Sequence, residues 1–386
     1  MTIHVGIIDQ DPVRLVTPLL DHRSTATSIV LIGDASQKPV FYRIKGVLDQ
    51  RNITTEFHEI PCSSNIMSIK RSIDELAKKL VHSSDKIRLN ASCGLRHRLL
   101  SVYEVFRSYE WPIFVVEPNS DRLCWLFPEH YQDTQVQDRI TISDYLTMFG
   151  AKGEFLEPEI APALDKTLYE LGERWAGNAL ELGPGLATLN YLATTCRKEQ
   201  KLDVELSEKQ QGYRELNMLI TDLVNAEIAT YEKGILTFAN EDARRFSNGE
   251  WLETLVHSTV KQLQTDIPTI QDRSLNVQVY RQLGEREVRN ELDVATVVNN
   301  KLHIIECKTK GMRDDGDDTL YKLESLRDLL GGLQARAMLV SFRPLRHNDI
   351  TRAQDLGLAL IGPDELKDLR THLRNWFMEA GGSDPE

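Results

Sequence analysis

No stretch of the chain approaches the roughly eighteen consecutive uncharged apolar residues of a membrane-spanning helix, so nothing in it reads as a span. Cysteine is sparse. The five residues Cys62, Cys93, Cys124, Cys196 and Cys307 are odd in number and scattered, with no CxxC pair. That argues against a disulfide framework and against a structural zinc site. The opening MTIHVGIIDQDP lacks a basic segment leading into an apolar run, so a signal peptide is not expected and a cytoplasmic location is. Positive charge is in deficit: 46 Lys and Arg against 58 Asp and Glu give a formal charge of −12. A general coat for nucleic acid would be basic, so any nucleic-acid contact here must be local. No GxGxxG follows the first apolar run, so a dinucleotide cofactor is not expected.

What is present suffices for a folded chain of several parts. With 386 residues, 41% of them hydrophobic, two or three cored domains are expected. Residues 1–150 alternate apolar runs with amphipathic segments: Ile3–Ile8, Ser28–Ile32, Thr54–Ile60, Lys86–Asn90 and Trp111–Glu117 read as strands. Val13–Leu20, Lys38–Arg51, Ile66–Val81 and Leu95–Tyr109 read as helices between them. Such alternation implies a parallel sheet wound through right-handed crossovers, a Rossmann-like α/β domain. Residues 160–247 change to helices. Leu164–Glu181 should end at Gly183-Pro184-Gly185, followed by Ala187–Cys196 and Gln211–Asn225. Ile228–Tyr231 and Ile235–Phe238 around Glu232-Lys233-Gly234 then form a hairpin, so the segment has the outline of a winged helix.

Residues 249–378 form a third part, again α/β. A helix opens at Trp251-Leu252-Glu253; strands follow at Leu275–Arg281, Glu291–Val298 and Lys301–Cys307, the last two joined at Asn299-Asn300. An acidic loop is expected over 311–318, then the helix Leu320–Leu330, a strand at Arg336–Ser341, a helix at Asp349–Leu356 and a short strand at Ala359–Ile361. Within this part Asp293 lies on one strand of a hairpin and Glu306-Cys307-Lys308 closes the other. Alternation puts Glu306 and Lys308 on one face with Cys307 turned to the core, and the hairpin returns Asp293 beside them. Ile304-Ile305 runs straight into Glu306, so charge appears where burial would otherwise continue and needs a partner or a metal. Two carboxylates and an ammonium suit Mg²⁺ or Mn²⁺, which take oxygen ligands from a few carboxylates, a substrate phosphate and water. Glu253 is a further candidate carboxylate. The plain alternative is a solvated ion pair at a strand edge.

Gly249 to Glu253, Asn290 to Asp293 and Glu306-x-Lys308 resemble the successive motifs of the PD-(D/E)xK nuclease superfamily, with Thr319 to Leu323 where that superfamily places a further active-site helix. The resemblance covers Gly249 to Ile361. It implies a restriction-endonuclease-like domain in which Asp293, Glu306 and the Cys307 carbonyl bind the metal. Lys308 would assist the nucleophile, and Tyr321 and Lys322 are weaker candidates for phosphate contact.

An open α/β sheet binds its ligand outside the carboxyl ends of its strands, at the switch point. The loops there are Asp9-Gln10-Asp11-Pro12 and Asn90 to Arg98. The second leads small residues into a helix N-terminus bearing Arg96, His97 and Arg98, a turn suited to an anion, although Ser92 as a simple helix cap explains it equally. Cys93 as a nucleophile lacks any evident relay. A Rossmann-like sensor, a winged middle and a PD-(D/E)xK end together resemble the CRISPR-associated Rossmann fold (CARF) nucleases over nearly the whole chain. That resemblance implies a homodimer whose sensor binds a cyclic oligoadenylate through Gln10, Asn90, Ser92, Gly94 and Arg96, switching on metal-dependent cleavage of single-stranded DNA or RNA, or nicking of duplex DNA, in anti-phage defence. The family's fourth-strand loop commonly reads N-x-T-G-G-T-K. Here Asn90, Gly94 and a basic Arg96 are kept, while Cys93 and Leu95 are bulkier and Leu95 lacks a hydroxyl. Two other readings are a nucleotide-sensing regulator that binds DNA through the winged helix without catalysis, and a nucleotide-metabolising enzyme using Asp9, Asp11 and His97.

Overall fold

The computed structural model describes residues 2–62, 65–83, 86–156, 162–310 and 316–379. The first domain is built on β1 (Thr2–Ile7), α1 (Val13–Leu20), β2 (Ala26–Gly33), α2 (Lys38–Asp49), β3 (Thr54–Glu59), α3 (Ile66–Val81), β4 (Lys86–Asn90), α4 (Arg96–Ser108) and β5 (Ile113–Val116). These strands pair in parallel, and β6 (Arg122–Phe127) and β7 (Thr134–Gln135) add an antiparallel edge. The sheet order β3-β2-β1-β4-β5-β6-β7 reverses direction between β1 and β4, so the switch point lies where the sequence places it. Helices α3 and α4 share one core with Val5, Ile7 and Leu89, while α1 and α2 pack on the opposite face.

The expected end of this domain at residue 150 falls inside a junction. Beyond Glu117 the sequence pattern marks no element before about residue 160, yet α5 (Ile142–Met148) and β8 (Ala151–Phe155) form there as well as β6 and β7. Short edge strands carry too few alternating positions to announce themselves. β8 does not join the first sheet but pairs antiparallel with a strand of the last domain. One continuous core then joins α1, α2 and α5 to the last sheet, so the two domains share buried surface instead of meeting through a linker.

In the middle segment α6 (Pro162–Gly177) and α7 (Ala179–Glu199) break at Asn178, and Gly183-Pro184-Gly185 lies inside α7, correcting the sequence expectation. Pro184 removes one amide donor and leaves the carbonyl of Leu180, a residue 61% exposed and open to water. Arg343 donates to the Gly183 carbonyl at 3.0 Å. Gly185 lets the next helix approach, since a Cβ there would stand 2.8 Å from the Glu215 backbone. β9 (Asp203–Glu205), α8 (Glu208–Gln211), α9 (Arg214–Asn225), β10 (Ala229–Glu232), β11 (Ile235–Phe238) and α10 (Glu241–Arg245) follow, the three strands forming the sheet β10-β11-β9.

The last domain comprises α11 (Trp251–Asp266), β12 (Ile270–Leu283), β13 (Arg286–Val298), β14 (Lys301–Lys308), α12 (Gly316–Gly331), β15 (Arg336–Ser341), α13 (His347–Asp355), β16 (Ala359–Ile361) and α14 (Leu369–Glu379). Its mixed sheet runs β16-β15-β14-β13-β12-β8, with α11 and α14 over one face and α12 and α5 over the other. Of the acidic loop expected over 311–318, residues 311–315 lie outside the described residues and Gly316 already opens α12. Among the described residues no helix is long and apolar enough to cross a membrane.

Asn300, in the β13–β14 turn, fastens the last domain to the first. Its Oδ1 accepts from the Arg139 amide at 3.2 Å and from Gln271 Nε2 at 2.9 Å, and its Nδ2 donates to the carboxylate of Asp121 and to the Gln137 carbonyl at 3.2 Å. Asn300 is 2% exposed. Removing such a hub leaves buried polar groups without partners, at about 1–3 kcal/mol for each group stranded. Asn300→Ala is expected to lower Tm sharply, whereas Asn299→Ala at the neighbouring position is expected to cost far less; differential scanning calorimetry on the two variants checks this.

Candidate active site

Asp293 stands opposite Glu306, one step beyond the last β13–β14 ladder pair Val294↔Ile305. The ladder to β12 skips Asp293 and Asn276, and Asn276 adopts φ +53°. Leu275 and Val294 join one core while Val277 and Leu292, two residues away on each strand, join the other. Strict alternation would keep each such pair on one face, so both strands twist at this step and re-aim Asp293. Its Oδ2 accepts the Cys307 amide at 2.7 Å, taking the place of a ladder carbonyl. Across the strand, Glu306 Oε1 is 2.5 Å from Lys308 Nζ. Cys307 points to the core as expected, and burial holds its thiol far above the ordinary range, so it is inert as a nucleophile.

Glu253 arrives from the first turn of α11. Trp251, fully buried, is wedged edge-on between Trp175 (ring centroids 5.5 Å) and Phe342 (5.3 Å), which fixes where that turn begins. Just before it Gly249 takes φ +122°, and a Cβ there would lie 2.3 Å from Thr309 Oγ1, immediately beyond β14. Helix start and strand end therefore meet through a gap only glycine leaves open. Gly249→Ala is expected to destabilise by roughly 1–3 kcal/mol through backbone strain and to depress whatever activity the site has. Gly249→Ala combined with Thr309→Ala should recover part of the activity, which a paired Tm and rate measurement would show.

The electrostatics of the cluster follow from crowding. Burial, then the charges of Asp293, Glu250, Glu291 and Glu306, push the Glu253 carboxyl up to about 9. Burial and then Glu306 raise Asp293 to about 7, against the Cys307 amide and Lys308, which pull it down. Burial opposes the charge on Lys308, but the carboxylates of Glu306 and Asp293 outweigh it and hold the ammonium above the ordinary lysine range. The site thus gathers more carboxyl groups than one lysine can balance and keeps protons on them instead of charge, the condition a hard cation relieves. Among the described residues no three His, Cys, Asp or Glu side chains close on one point as a protein cage for a metal would. The donor set suits a cation held by two carboxylates and finished by water and substrate, not a zinc-type site.

Sequence reasoning singled out Asp293, Glu306, Lys308 and Glu253, and the structure brings all four together. It missed Glu250, Glu291, Asn276 and Thr309; an asparagine in left-handed backbone inside a strand leaves no periodic signal. Tyr321 is engaged elsewhere: its hydroxyl accepts from Arg352, whose guanidinium lies 5.2 Å from the ring. Lys322 is exposed on α12.

At the switch point of the first sheet, much of the fourth-strand loop is spoken for internally. Asn90 is fully buried; its Nδ2 donates to the Arg14 carbonyl at 2.8 Å, and its Oδ1 accepts from the Ser92 amide at 3.1 Å and from the Ser92 hydroxyl. Ser92 Oγ in turn accepts the Val116 amide at 2.7 Å. The Gly94 amide donates to Asp9 Oδ2 at 3.0 Å. Asn90, Ser92 and Gly94 therefore shape the loop, while Gln10, Leu95 and Arg96 are the exposed groups beside it. Below them Arg98 Nη2 pairs with Asp34 at 2.7 Å and Nη1 with Gln37 at 3.1 Å, and Gln37 holds the Ile8 carbonyl, a brace the sequence signals only through the Asp34-x-x-Gln37 capping box. Burial pushes the Cys93 thiol up to about 12 and its Sγ rests on the Asp11 carbonyl, so it is no nucleophile.

Comparison with known proteins agrees with this layout. A family model described as the Card1-like endonuclease domain matches residues 240–380. No curated protein sequence matches the chain. The crystal structure of protein VC1899 from Vibrio cholerae is 78% identical, with a TM-score of 0.96 over 99% of both chains. Can2 from Sulfobacillus thermosulfidooxidans, solved with cyclic tetra-adenylate, has the same fold at 22% identity, with a TM-score of 0.78 over 98% of this chain and 99% of that one. A type III CRISPR defence DNA nuclease activated by cyclic oligoadenylate superimposes at 12% identity and a TM-score of 0.57, covering 96% of this chain and 51% of that one. With a Card1-like endonuclease domain at its C-terminus, the fold of Can2 throughout and a relative 78% identical along its full length, the chain belongs to the CRISPR-associated Rossmann fold (CARF) nucleases.

Proposed function

We propose that this protein is a PD-(D/E)xK-type, metal-dependent endonuclease of nucleic acid, switched on by a cyclic oligoadenylate bound at the switch point of its first domain. The observation that carries the reading is the convergence of Asp293, Glu306, Lys308 and Glu253 where β13, β14 and α11 meet. Asp293 and Glu306 would hold Mg²⁺ or Mn²⁺ together with the carbonyl of Cys307, the residue after Glu306; when bound, the ion would neutralise charge developing on phosphorus and acidify a water. Lys308, held as an ammonium by Glu306, would orient the attacking water and donate to the phosphoryl oxygens. Glu253, proton-bearing while the cluster lacks a cation, would release that proton as positive charge arrives.

The fold shared with Can2, which was solved with cyclic tetra-adenylate, supports the activator, and a symmetric ligand suits a two-fold cleft completed by a second copy of the chain. Gln10 and Arg96 would contact it, with Leu95 replacing a hydroxyl at the rim. We place the homodimer in the cytoplasm, in anti-phage defence. The winged segment fits a DNA reader poorly: α9 carries Arg214 against Glu215 and Asp222, leaving no basic face.

Cleavage of labelled single-stranded RNA, single-stranded DNA and supercoiled plasmid, with Mn²⁺ or Mg²⁺ and with or without cyclic oligoadenylates, tests the reading. Ligand-stimulated cutting that is lost in Glu306→Ala/Lys308→Ala supports it. Folded protein that cuts nothing under any condition overturns it.

A further inference from the structure

A second binding site lies on the first domain, apart from the switch point. On the α1 side of the sheet, Phe114, Val116, Leu123, Trp125 and Val136 form a small core drawn from strands and their connections alone, with no helix in it. A cavity of about 480 Å³ opens over this surface, and His4, Arg88, Phe114, Trp125, His130 and Tyr131 border it. That volume is in the range of small-molecule sites, roughly 300–1,000 Å³. The rings form an unbroken series: His4 to Phe114 at 5.3 Å, Phe114 to Trp125 at 5.5 Å, Trp125 to Tyr131 at 4.8 Å and Tyr131 to His130 at 5.0 Å.

Two polar groups in this aromatic setting are uncommitted. Arg88 lies with its guanidinium carbon 5.5 Å from the Trp125 ring centroid and makes no hydrogen bond or ion pair with any described residue. His4 is 2% exposed, and neither ring nitrogen has a hydrogen-bond partner. Burial, then the charge of Arg88, push its pKa down to about 3, so it is neutral and offers one donor and one acceptor. The other charges at the rim are satisfied, since Arg23 is paired with Asp21 at 2.6 Å. The cavity therefore presents flat apolar walls and a single unpaired positive charge. A cation is repelled by Arg88, and a bare inorganic anion leaves the rings without contact.

We propose that this cavity binds a small planar aromatic or heteroaromatic molecule bearing one anionic group, its ring against Trp125 and Tyr131 and its anion on Arg88. The site is distinct from the one at the switch point: His4 and Asp9 are five residues apart on and just after β1, about 16 Å along the strand direction. It is also independent of the nuclease reading.

Isothermal titration of the full-length protein tests it with four probes: adenosine 5′-monophosphate, indole-3-acetate, adenosine and inorganic phosphate. At least one of the two ring-bearing anions should bind with a Kd of about 1 mM or tighter, and adenosine and phosphate at least about tenfold more weakly. A response to the nucleotide alone assigns the natural ligand to nucleotides, and to indole-3-acetate alone to aromatic acids. Arg88→Met, which keeps the stem over Trp125, should weaken binding at least about tenfold, and Tyr131→Ala on the half-exposed rim about fivefold, both with unchanged Tm. Arg96→Ala should leave it unchanged. Binding unaffected by both Arg88→Met and Tyr131→Ala, binding lost only in Arg96→Ala, or no response to either anion at about 10 mM overturns the proposal.

Discussion

Glu306→Gln is expected to lower the cleavage rate by about 10²–10³-fold or more at saturating Mn²⁺, the scale seen when one preorganised electrostatic group is removed from a transition state. The substitution keeps shape and removes charge, so it separates chemistry from folding. Glu306 does two things at once in the proposed site, offering an oxygen to the cation and holding Lys308 at 2.5 Å. Lys308→Met should therefore cost a comparable factor, and the double variant little more than either alone, because groups acting as one unit are not additive. Asp293→Asn tests the other arm. It loses the charge while its side-chain oxygen still accepts the Cys307 amide, so the strand step at Asn276 should survive and Tm should change little. A rate within about threefold of wild type for Glu306→Gln, measured by single-turnover cleavage, would remove Glu306 from the chemistry.

That four of the central residues were legible in the sequence has a physical reason. Asp293 and Glu306-x-Lys308 interrupt apolar strands, and charge inside such a run is readable without coordinates because burial makes it expensive. Strand–helix alternation in the first 116 residues was legible for a similar reason: the inner strands β1, β2 and β5 are largely buried and read as near-continuous apolar runs, and the amphipathic helices between them mark off the more polar β3 and β4. What stayed hidden is short or conformational. β8 has five residues, pairs with a strand more than a hundred positions away and lies just past the expected boundary. Gly183-Pro184-Gly185 carries the composition of a break but sits in α7, because Arg343 takes one carbonyl and α9 fills the space beside Gly185. The left-handed Asn276, at the strand step that re-aims Asp293, is invisible to any pattern of hydrophobicity.

Cation binding should leave a second, independent signature in stability against pH. The Glu253 carboxyl, ordinarily at 4.5, is raised to about 9 in the folded chain, and Asp293 from 3.8 to about 7. Below about pH 4 both groups are protonated whether the chain is folded or not, and their contribution is fully present. Between about 4.5 and 9 the folded chain keeps a proton on Glu253 that the unfolded chain has released, so raising the pH removes stability across that window. Asp121, raised to about 6, and Asp138, raised to about 7, at the Asn300 junction push in the same direction. Between pH 5 and 7 the buried His4 and His303, lowered from 6.5 to about 3, push the opposite way, because there the unfolded chain binds protons that the folded chain does not. Without divalent cation, the clear fall in Tm is therefore expected from about pH 7 to pH 9, and Glu253→Gln should flatten it. A cation competes with protons for the same carboxylates, so the Tm gain from millimolar Mn²⁺ should be small near pH 5 and grow towards pH 8. In Asp293→Asn/Glu306→Gln the gain should vanish at every pH. A Mn²⁺ effect of equal size at pH 5 and pH 8, or one that persists in the double variant, would place the cation away from this cluster.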